Sequence, residues 1–480
     1  MNLRTLILAA GLALALPAAA ETYDVVLEGG RVMDPESGTD AIRNVGISNG
    51  KIAKISEARL AGTKVLDAKG LVVAPGFIDL HQHAQDAASG RLKAFDGVTS
   101  GLEMEIGVPD VGTFLTAKQG HSLINYGTTA SHPAARAAAF GAPLKDPFLV
   151  APSGPATNDP ASGEQLLAIE ARLRSELDTG ALGIGMGIQY TPGASRLEVI
   201  RMFRLAAERR VPVFTHVRSF GRIEPGSSIE AVSEVIGAAA ITGASLQIVH
   251  IYSSCLGDGG ECLARVAGAR ARGLDVTTEA YPYVAGMTTV NSALFNPGWR
   301  EKLGVDYGAI QLPNGEKLTK ERFDALHASP EPINVLLFAN TQEMVDTVIA
   351  APLVMIASDG EAEHPRNAGT YSHVLARYVR ERGSLTLMDA LRKMSLMPAQ
   401  RLERSTPAAR GKGRLQEGAD ADVIAFDART VSDRSTYQAP REASVGMKFV
   451  IVNGIVLIDH GALVPDRFPG RAITPPSAHP

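Results

Sequence analysis

Cysteine is nearly missing from this 480-residue chain, which has only Cys255 and Cys262. Two thiols cannot build a disulfide scaffold or a four-cysteine zinc module. An excess of one charge is missing too: 47 Lys+Arg face 51 Asp+Glu, a formal net charge of −4. Without a basic footprint, the chain lacks the electrostatics of a nucleic-acid binder. There is no long polar or low-complexity stretch of the kind that stays disordered. The 48 Gly and 28 Pro have no G-X-Y period and read as turns rather than collagen. What is present is 45% hydrophobic residues, enough for a large core, and eleven histidines. The position of those histidines carries most of the information.

The first twenty residues read as an address. Arg4 precedes the apolar run Leu6–Leu16, and Ala18-Ala19-Ala20 stand before Glu21. This is the pattern of a cleavable secretory signal, with the cut after Ala20. A membrane span needs about 20 apolar residues, and this run has about half of that. The mature chain is therefore expected in the periplasm or secreted, without a membrane span. An oxidising compartment permits a Cys255–Cys262 disulfide. Two unpaired loop thiols fit the sequence as well.

Both ends of the mature chain read as short strands. Tyr23–Leu27, Val45–Ser48 and Lys51–Ile55 are strand-like, with a hairpin signal at Asn49-Gly50. Val65–Val73 adds a strand pair around Gly70. Asp422–Phe426, Phe449–Val452 and Ile455–Ile458 repeat this texture, with Asn453-Gly454 as a second hairpin. The expected organisation is a signal at 1–20, a sheet domain shared by 21–75 and 411–480, and a middle unit at 76–410. That middle alternates helices and apolar strands, as a parallel α/β barrel requires. In one helix Leu166, Ile169, Leu173 and Leu177 form a stripe, Ser162 and Gln165 a capping box, and Gly180 the stop. Strands are expected at Leu182–Ile188, Val213–His216, Leu246–His250, Val276–Ala280 and Leu353–Ala357. The middle exceeds the roughly 250 residues typical of eight βα units. Its surplus is assigned to loops such as 286–330.

The chemistry sits where strands end. Phe77–Leu80 leads into His81-Gln82-His83, and period two puts both imidazoles on one side. Further strands end in His216 and His250, and another in Asp359. One such histidine means little; together they line the C-terminal rim where barrels keep their active sites, and they point to a metal. Between them, Val98–Glu105 carries Glu103 and Glu105 at i and i+2. Two unpaired buried carboxylates are costly, and a divalent cation offsets that cost. Glu105, nearer the strand's end, is the candidate bridge, and Glu103 is the candidate for orienting a histidine.

Taken together these residues resemble the amidohydrolase superfamily, and more narrowly its N-acyl-D-amino-acid deacylase branch. The resemblance rests on Pro75–His83, on Gly180–Tyr190, on Thr215–Arg218 and on Glu279–Gly286. It rests further on Ser358-Asp359-Gly360 with His364-Pro365-Arg366, and on the tail Arg414–Asp427. It implies a (β/α)8 barrel with a small β-sandwich built from both chain ends. It also implies zinc, one or two ions per chain, with His81, His83 and Asp359 at one ion, His216 and His250 at the other, and Glu105 between them. Asp359 would take the proton from metal-activated water. Tyr190 and Arg366 would contact substrate, the latter at its carboxylate. The branch usually has a cysteine where Glu105 stands, a lysine where Tyr252 stands and a serine where Met287 stands. Amino-acid specificity therefore does not carry over with the fold.

The implied activity is hydrolysis of a C–N amide bond in a small N-acyl amino acid or dipeptide-like compound. Alternatives are a cyclic-amide hydrolase, a dipeptidase for D-residue or isopeptide links, and a catalytically dead scaffold. The first commonly uses a carboxylated lysine on a middle strand, and Leu182–Ile188 has none. The last usually loses its ligands, and here they are intact. His121, His132 and His364 are expected near the barrel mouth, the first two in solvated loops. His327, His373, His460 and His479 are expected to be structural or surface residues.

Overall fold

The computed structural model describes residues 22–144 and 154–476. The leader expected at 1–20 and His479 lie outside them. Among the described residues, no helix is long and apolar enough to cross a membrane.

The chain starts with β1 (Thr22–Asp34), β2 (Thr39–Ser48) and β3 (Lys51–Ser56), a meander turning at Asn49-Gly50. Both turn residues have positive φ, 53° and 74°, as a two-residue hairpin needs. β4 (Ala61–Asp67) and β5 (Val72–Pro75) follow. They do not pair around Gly70 as expected; each lies parallel to a different stretch of β1. β1 is 13 residues long, with a register shift between Leu27 and Gly30, so it offers two separate ladders.

Pro75-Gly76 passes the chain from this sheet straight into β6 (Phe77–Asp79), the first barrel strand. Then come β7 (Val98–Val108), β8 (Asn125–Ser131), β9 (Ile184–Gly187), β10 (Val213–His216), β11 (Leu246–Ile248) and β12 (Val276–Ala280). An insertion forms β13 (Gly286–Thr289), β14 (Ile310–Gln311) and β15 (Asn334–Leu337), and β16 (Val354–Ile356) completes the barrel set. The barrel order is β6-β7-β8-β9-β10-β11-β12-β16, all parallel. Closure comes just beyond the strands: His83 N–H and Ala84 N–H donate to Gly360 O, and Gly360 N–H donates to His81 O. The surplus residues are thus not only loop, since they include a small antiparallel sheet.

β17 (Val423–Phe426), β18 (Met447–Val452), β19 (Ile455–Asp459) and β20 (Ala462–Leu463) return the chain to the terminal sheet. β17 pairs antiparallel with β5, so strands from both ends make one nine-stranded sheet. Val25, Leu27 and Ile47 share an apolar cluster with Val423, Phe449 and Ile451. A larger cluster joins the barrel strands to their helices. The helix Gly163–Thr179 has the expected capping box, and it buries Leu166, Ile169, Leu173 and Leu177.

Candidate metal centre

The rim formed where β6, β7, β10, β11 and β16 end brings six side chains together. His81 Nε2 and His83 Nε2 lie 3.1 Å apart. Glu105 Oε2 is 3.2 Å from each of them, and Asp359 Oδ1 is 3.2 and 3.3 Å away. Ligands held tetrahedrally at zinc distances would be spaced by about 3.3 Å. On the far side of the same carboxylate, Glu105 Oε1 is 2.8 Å from His216 Nδ1 and 2.9 Å from His250 Nε2, which are 3.1 Å from each other. One glutamate thus faces two donor sets, one with each oxygen.

The other ring nitrogens explain why these atoms gather. His81 Nδ1 lies 2.7 Å from Glu279 Oε1, and His83 Nδ1 lies 2.6 Å from Glu103 Oε2. An ionised carboxylate only accepts, so each Nδ1 donates and each Nε2 turns a lone pair inward. Two lone pairs and two carboxylate oxygens then converge in a buried space, an arrangement that requires positive charge. Burial pulls the pKa of His81 down, yet Asp359 and Glu105 outweigh it and hold it well above the ordinary range. His83 rises in the same way, against burial, chiefly through Glu103. Conversely, His81 and His216 overcome burial to keep Glu105 well below the usual carboxylate range. Burial lowers His216, which suits a neutral ligand. The donor chemistry of both sets, imidazole nitrogen with carboxylate oxygen, fits a divalent metal.

Local backbone geometry aims several of these groups. Period two along β6 and beyond puts His81 and His83 on one side, as the H-x-H spacing requires. His250 and Asp359 stand at φ 29° and 51°, values that non-glycine residues rarely take and that cluster at functional sites. Glu103 also accepts from the Ile106 and Gly107 N–H groups, which pins it in place. Beneath the rim, Lys93 Nζ donates to Asp79 Oδ2 at 2.6 Å and to Ser358 Oγ at 2.5 Å. Asp79 in turn accepts from the N–H groups of His81 and Ser358. This ion pair therefore ties the His81 strand to the Asp359 strand.

Asp359 is also low in pKa. Burial opposes this, but Arg366 and His81 prevail. Arg366 is fully buried; its Nη1 lies 2.8 Å from Asp359 Oδ2, and its guanidinium lies 4.6 Å from the Tyr281 ring centroid. Arg366 sits one layer behind the wall rather than in it, and its N–H groups lack aligned acceptors. Tyr190 does reach the cavity: its ring centroid is 4.7 Å from that of His216, and its hydroxyl accepts from Thr288 at 3.5 Å. Burial, then Glu105, raises its pKa, so it stays a protonated donor. Tyr252 turns away, donating to Tyr283 O at 2.6 Å, whereas Met287 lines the cavity.

Several partners were not assigned from sequence. Glu279 lies in a quoted motif but carries no spacing signal, because its histidine is 198 positions away. Lys93, Asp79 and Arg366 as network members are equally long-range. His132 is corrected: it is buried against Glu198, which also holds Arg136, rather than in a solvated loop. His364 is buried too, with Nε2 3.0 Å from Ala285 O and Nδ1 accepting from Arg366 N–H. Cys255 and Cys262, left open by the sequence, form a disulfide.

A parallel barrel whose strand ends carry this donor set defines a metal-dependent hydrolase class. The chain belongs to the amidohydrolase family, whose model matches residues 72–457. It is 32% identical to an N-acyl-D-glutamate deacylase of Alcaligenes xylosoxydans xylosoxydans, over 94% of this chain and 97% of that one. A D-aminoacylase of the same organism is 27% identical, over 91% of this chain and 94% of the relative. Among solved structures, the N-acyl-D-glutamate deacylase of Bordetella bronchiseptica, complexed with zinc and a phosphonate inhibitor, superposes with a TM-score of 0.80. That match is at 26% identity and covers 95% of this chain and all of that one.

Proposed function

We propose that this chain hydrolyses the amide C–N bond of a small N-acyl amino acid, with D-configured compounds first in line, as zinc-dependent relatives do. His81, His83 and Asp359 would hold one ion, His216 and His250 the other, and Glu105 would bridge them through its two oxygens. The observation that carries this reading is the inward convergence of the two donor sets, with the outer ring nitrogens of His81 and His83 already paired to Glu279 and Glu103. When bound, such an ion supplies Lewis acidity and brings the pKa of a water toward about 7.

The chain's own groups supply the rest. Asp359, ionised and facing the histidine pair through Oδ1, accepts the proton of the attacking water and delivers it to the leaving nitrogen. Tyr190, kept protonated, donates to the carbonyl oxygen as charge builds there. Arg366, fully buried and ion-paired with Asp359, is proposed to act through that carboxylate, holding it ionised, rather than by reaching the substrate itself. The cyclic-amide reading is weaker, since β9 (IGMG) offers no lysine to carboxylate. We further propose that residues 1–20 are a signal, that 76–410 is the catalytic unit and that 21–75 with 411–480 is the accessory one. The buried disulfide supports an oxidising, periplasmic or secreted, location.

The test is turnover of N-acyl-D- and N-acyl-L-amino acids, D-containing dipeptides and hydantoins by zinc-loaded protein. Amidase turnover of the D-series that falls at least about 10³-fold in Asp359→Asn, with zinc retained, is the expected result. Activity confined to hydantoins, or near-wild-type turnover in Asp359→Asn, would overturn it.

A further inference from the structure

The two donor sets are held from outside in different ways. His81 and His83 direct their Nδ1 atoms at Glu279 and Glu103, two carboxylates on barrel strands. In the other set, His216 Nε2 has no hydrogen-bond partner among the described residues, and its ring stacks on Phe220 with centroids 5.0 Å apart. His250 Nδ1 lies 3.1 Å from Ser254 Oγ, while its Nε2 faces Glu105. One hydroxyl therefore orients that set, and it stands on a helix of five residues, Ile251–Cys255.

That helix is bracketed by two residues in conformations that side chains other than glycine avoid. His250 stands at φ 29° before it, and Leu256 at φ 47°, ψ −129° after it. Such backbone persists only where the surroundings over-determine it. Tyr252 donates its hydroxyl to Tyr283 O, and Ser254 O accepts from Ser228 Oγ at 2.8 Å, which pins the middle of the helix. Its end is fixed covalently: Cys255 is bonded to Cys262 on the helix Gly259–Ala271, and both cysteines are fully buried. Arg222 also pairs with Asp258 in this turn, at 2.9 Å, but its side chain is largely exposed and such a pair contributes little. The cavity of about 270 Å³ over the centre takes Ser253 and Leu256 from this segment, and Leu294, Leu303 and Leu337 from the insertion that begins at β13. Resting on the metal set of the proposed function, we propose that the Cys255–Cys262 disulfide is a positioning element of the metal centre. It holds Leu256 in its unfavourable conformation and keeps Ser254 Oγ where the Nδ1–H of His250 donates to it, so that Nε2 turns a lone pair inward. Without the bond, Leu256 relaxes toward negative φ, the end of the helix swings, and Ser254 leaves the imidazole.

The experiment is competition of zinc-loaded protein against a chromogenic chelator, in wild type and in a cysteine-free chain, Cys255→Ala with Cys262→Ala. The cysteine-free chain should hold one zinc per chain about 10–100-fold more weakly. Adding Leu256→Gly to it should recover most of that loss, because glycine takes a positive φ freely. A chain merely loosened by losing a cross-link would be loosened further by glycine, so recovery separates positioning from general stability. Ser254→Ala should weaken zinc by a similar factor in the intact chain and add little in the cysteine-free one. Unchanged zinc affinity without the cysteines, no recovery with Leu256→Gly, or full additivity of Ser254→Ala would overturn the proposal. Should the cysteine-free chain not fold, the single variant Cys262→Ala carries the same expectations. A wild type that holds no zinc would remove the metal reading itself, and amide turnover plays no part in the readout.

Discussion

Glu105 stands between two donor sets and faces each with a different oxygen. Removing it leaves four buried imidazoles with one fewer anion, so Glu105→Ala should lose at least one zinc per chain by elemental analysis. Unchanged stoichiometry would take the bridge away from this residue. Glu103 and Glu279 act one step further out, through the Nδ1 atoms of His83 and His81. Such partners fix ring orientation and raise ligand basicity. Glu103→Gln and Glu279→Gln should each weaken zinc binding about 10–100-fold in a competition titration against a chromogenic chelator. The sequence allowed two roles for this pair of carboxylates, with Glu105 as bridge and Glu103 as orienter. The two-position spacing on one strand put both carboxylates on one face, and Glu105 was the candidate bridge because it lies nearer the strand's end. Glu279 was not readable, because its partner comes from another strand far along the chain.

At the scale of elements, Asp96 shows how helices are joined around the barrel. It follows the helix Ala87–Phe95 and accepts from the N–H groups of Tyr371 and Ser372, and from Ser444 Oγ. Burial raises its pKa to about 6, against these hydrogen bonds. A raised carboxyl pKa means the native state keeps its proton while the unfolded chain releases it, so its contribution is full below about pH 4 and falls as pH rises toward 6. In urea unfolding, the stability of wild type minus that of Asp96→Asn should drop by about 2 kcal/mol between pH 4 and pH 7. A flat difference would deny Asp96 this role. Sequence periodicity placed most strands, because apolar runs between turn residues are local signals. It failed around Gly70, where β4 and β5 look like a hairpin yet each finds β1 instead. Pairing partners are chosen by the whole sheet, and a turn signal cannot tell which strand is already taken.

On the scale of the molecule, the terminal sheet and the barrel are joined by a buried polar cluster. Asp422 accepts from Lys412 Nζ at 2.6 Å, from Asn125 Nδ2 at 2.9 Å and from Asn453 N–H at 2.7 Å. Asn453 Nδ2 also donates to Asn125 Oδ1, so β8 of the barrel meets the β18–β19 turn. Asp422→Ala would leave Lys412 buried with only Asp420, 3.1 Å away. Breaking a buried pair from one side costs about 3–5 kcal/mol. Denaturant unfolding of that variant should show a loss of this size. A change below about 0.5 kcal/mol would mean the cluster does not couple the two units.

The sequence by itself determined the alternation of strand and helix, the split of the sheet between both ends, and the set of histidines, glutamate and aspartate at strand ends. These are short-range facts, because a strand's period of two fixes which side chains share a face. Tertiary structure alone decided that one carboxylate faces two donor sets and that Arg366 sits behind Asp359. It also decided that the insertion walls the cavity with leucine. Each of these depends on strands far apart in sequence meeting at one rim, where burial and charge make the neighbours of a group, rather than its own spacing, set what it can do.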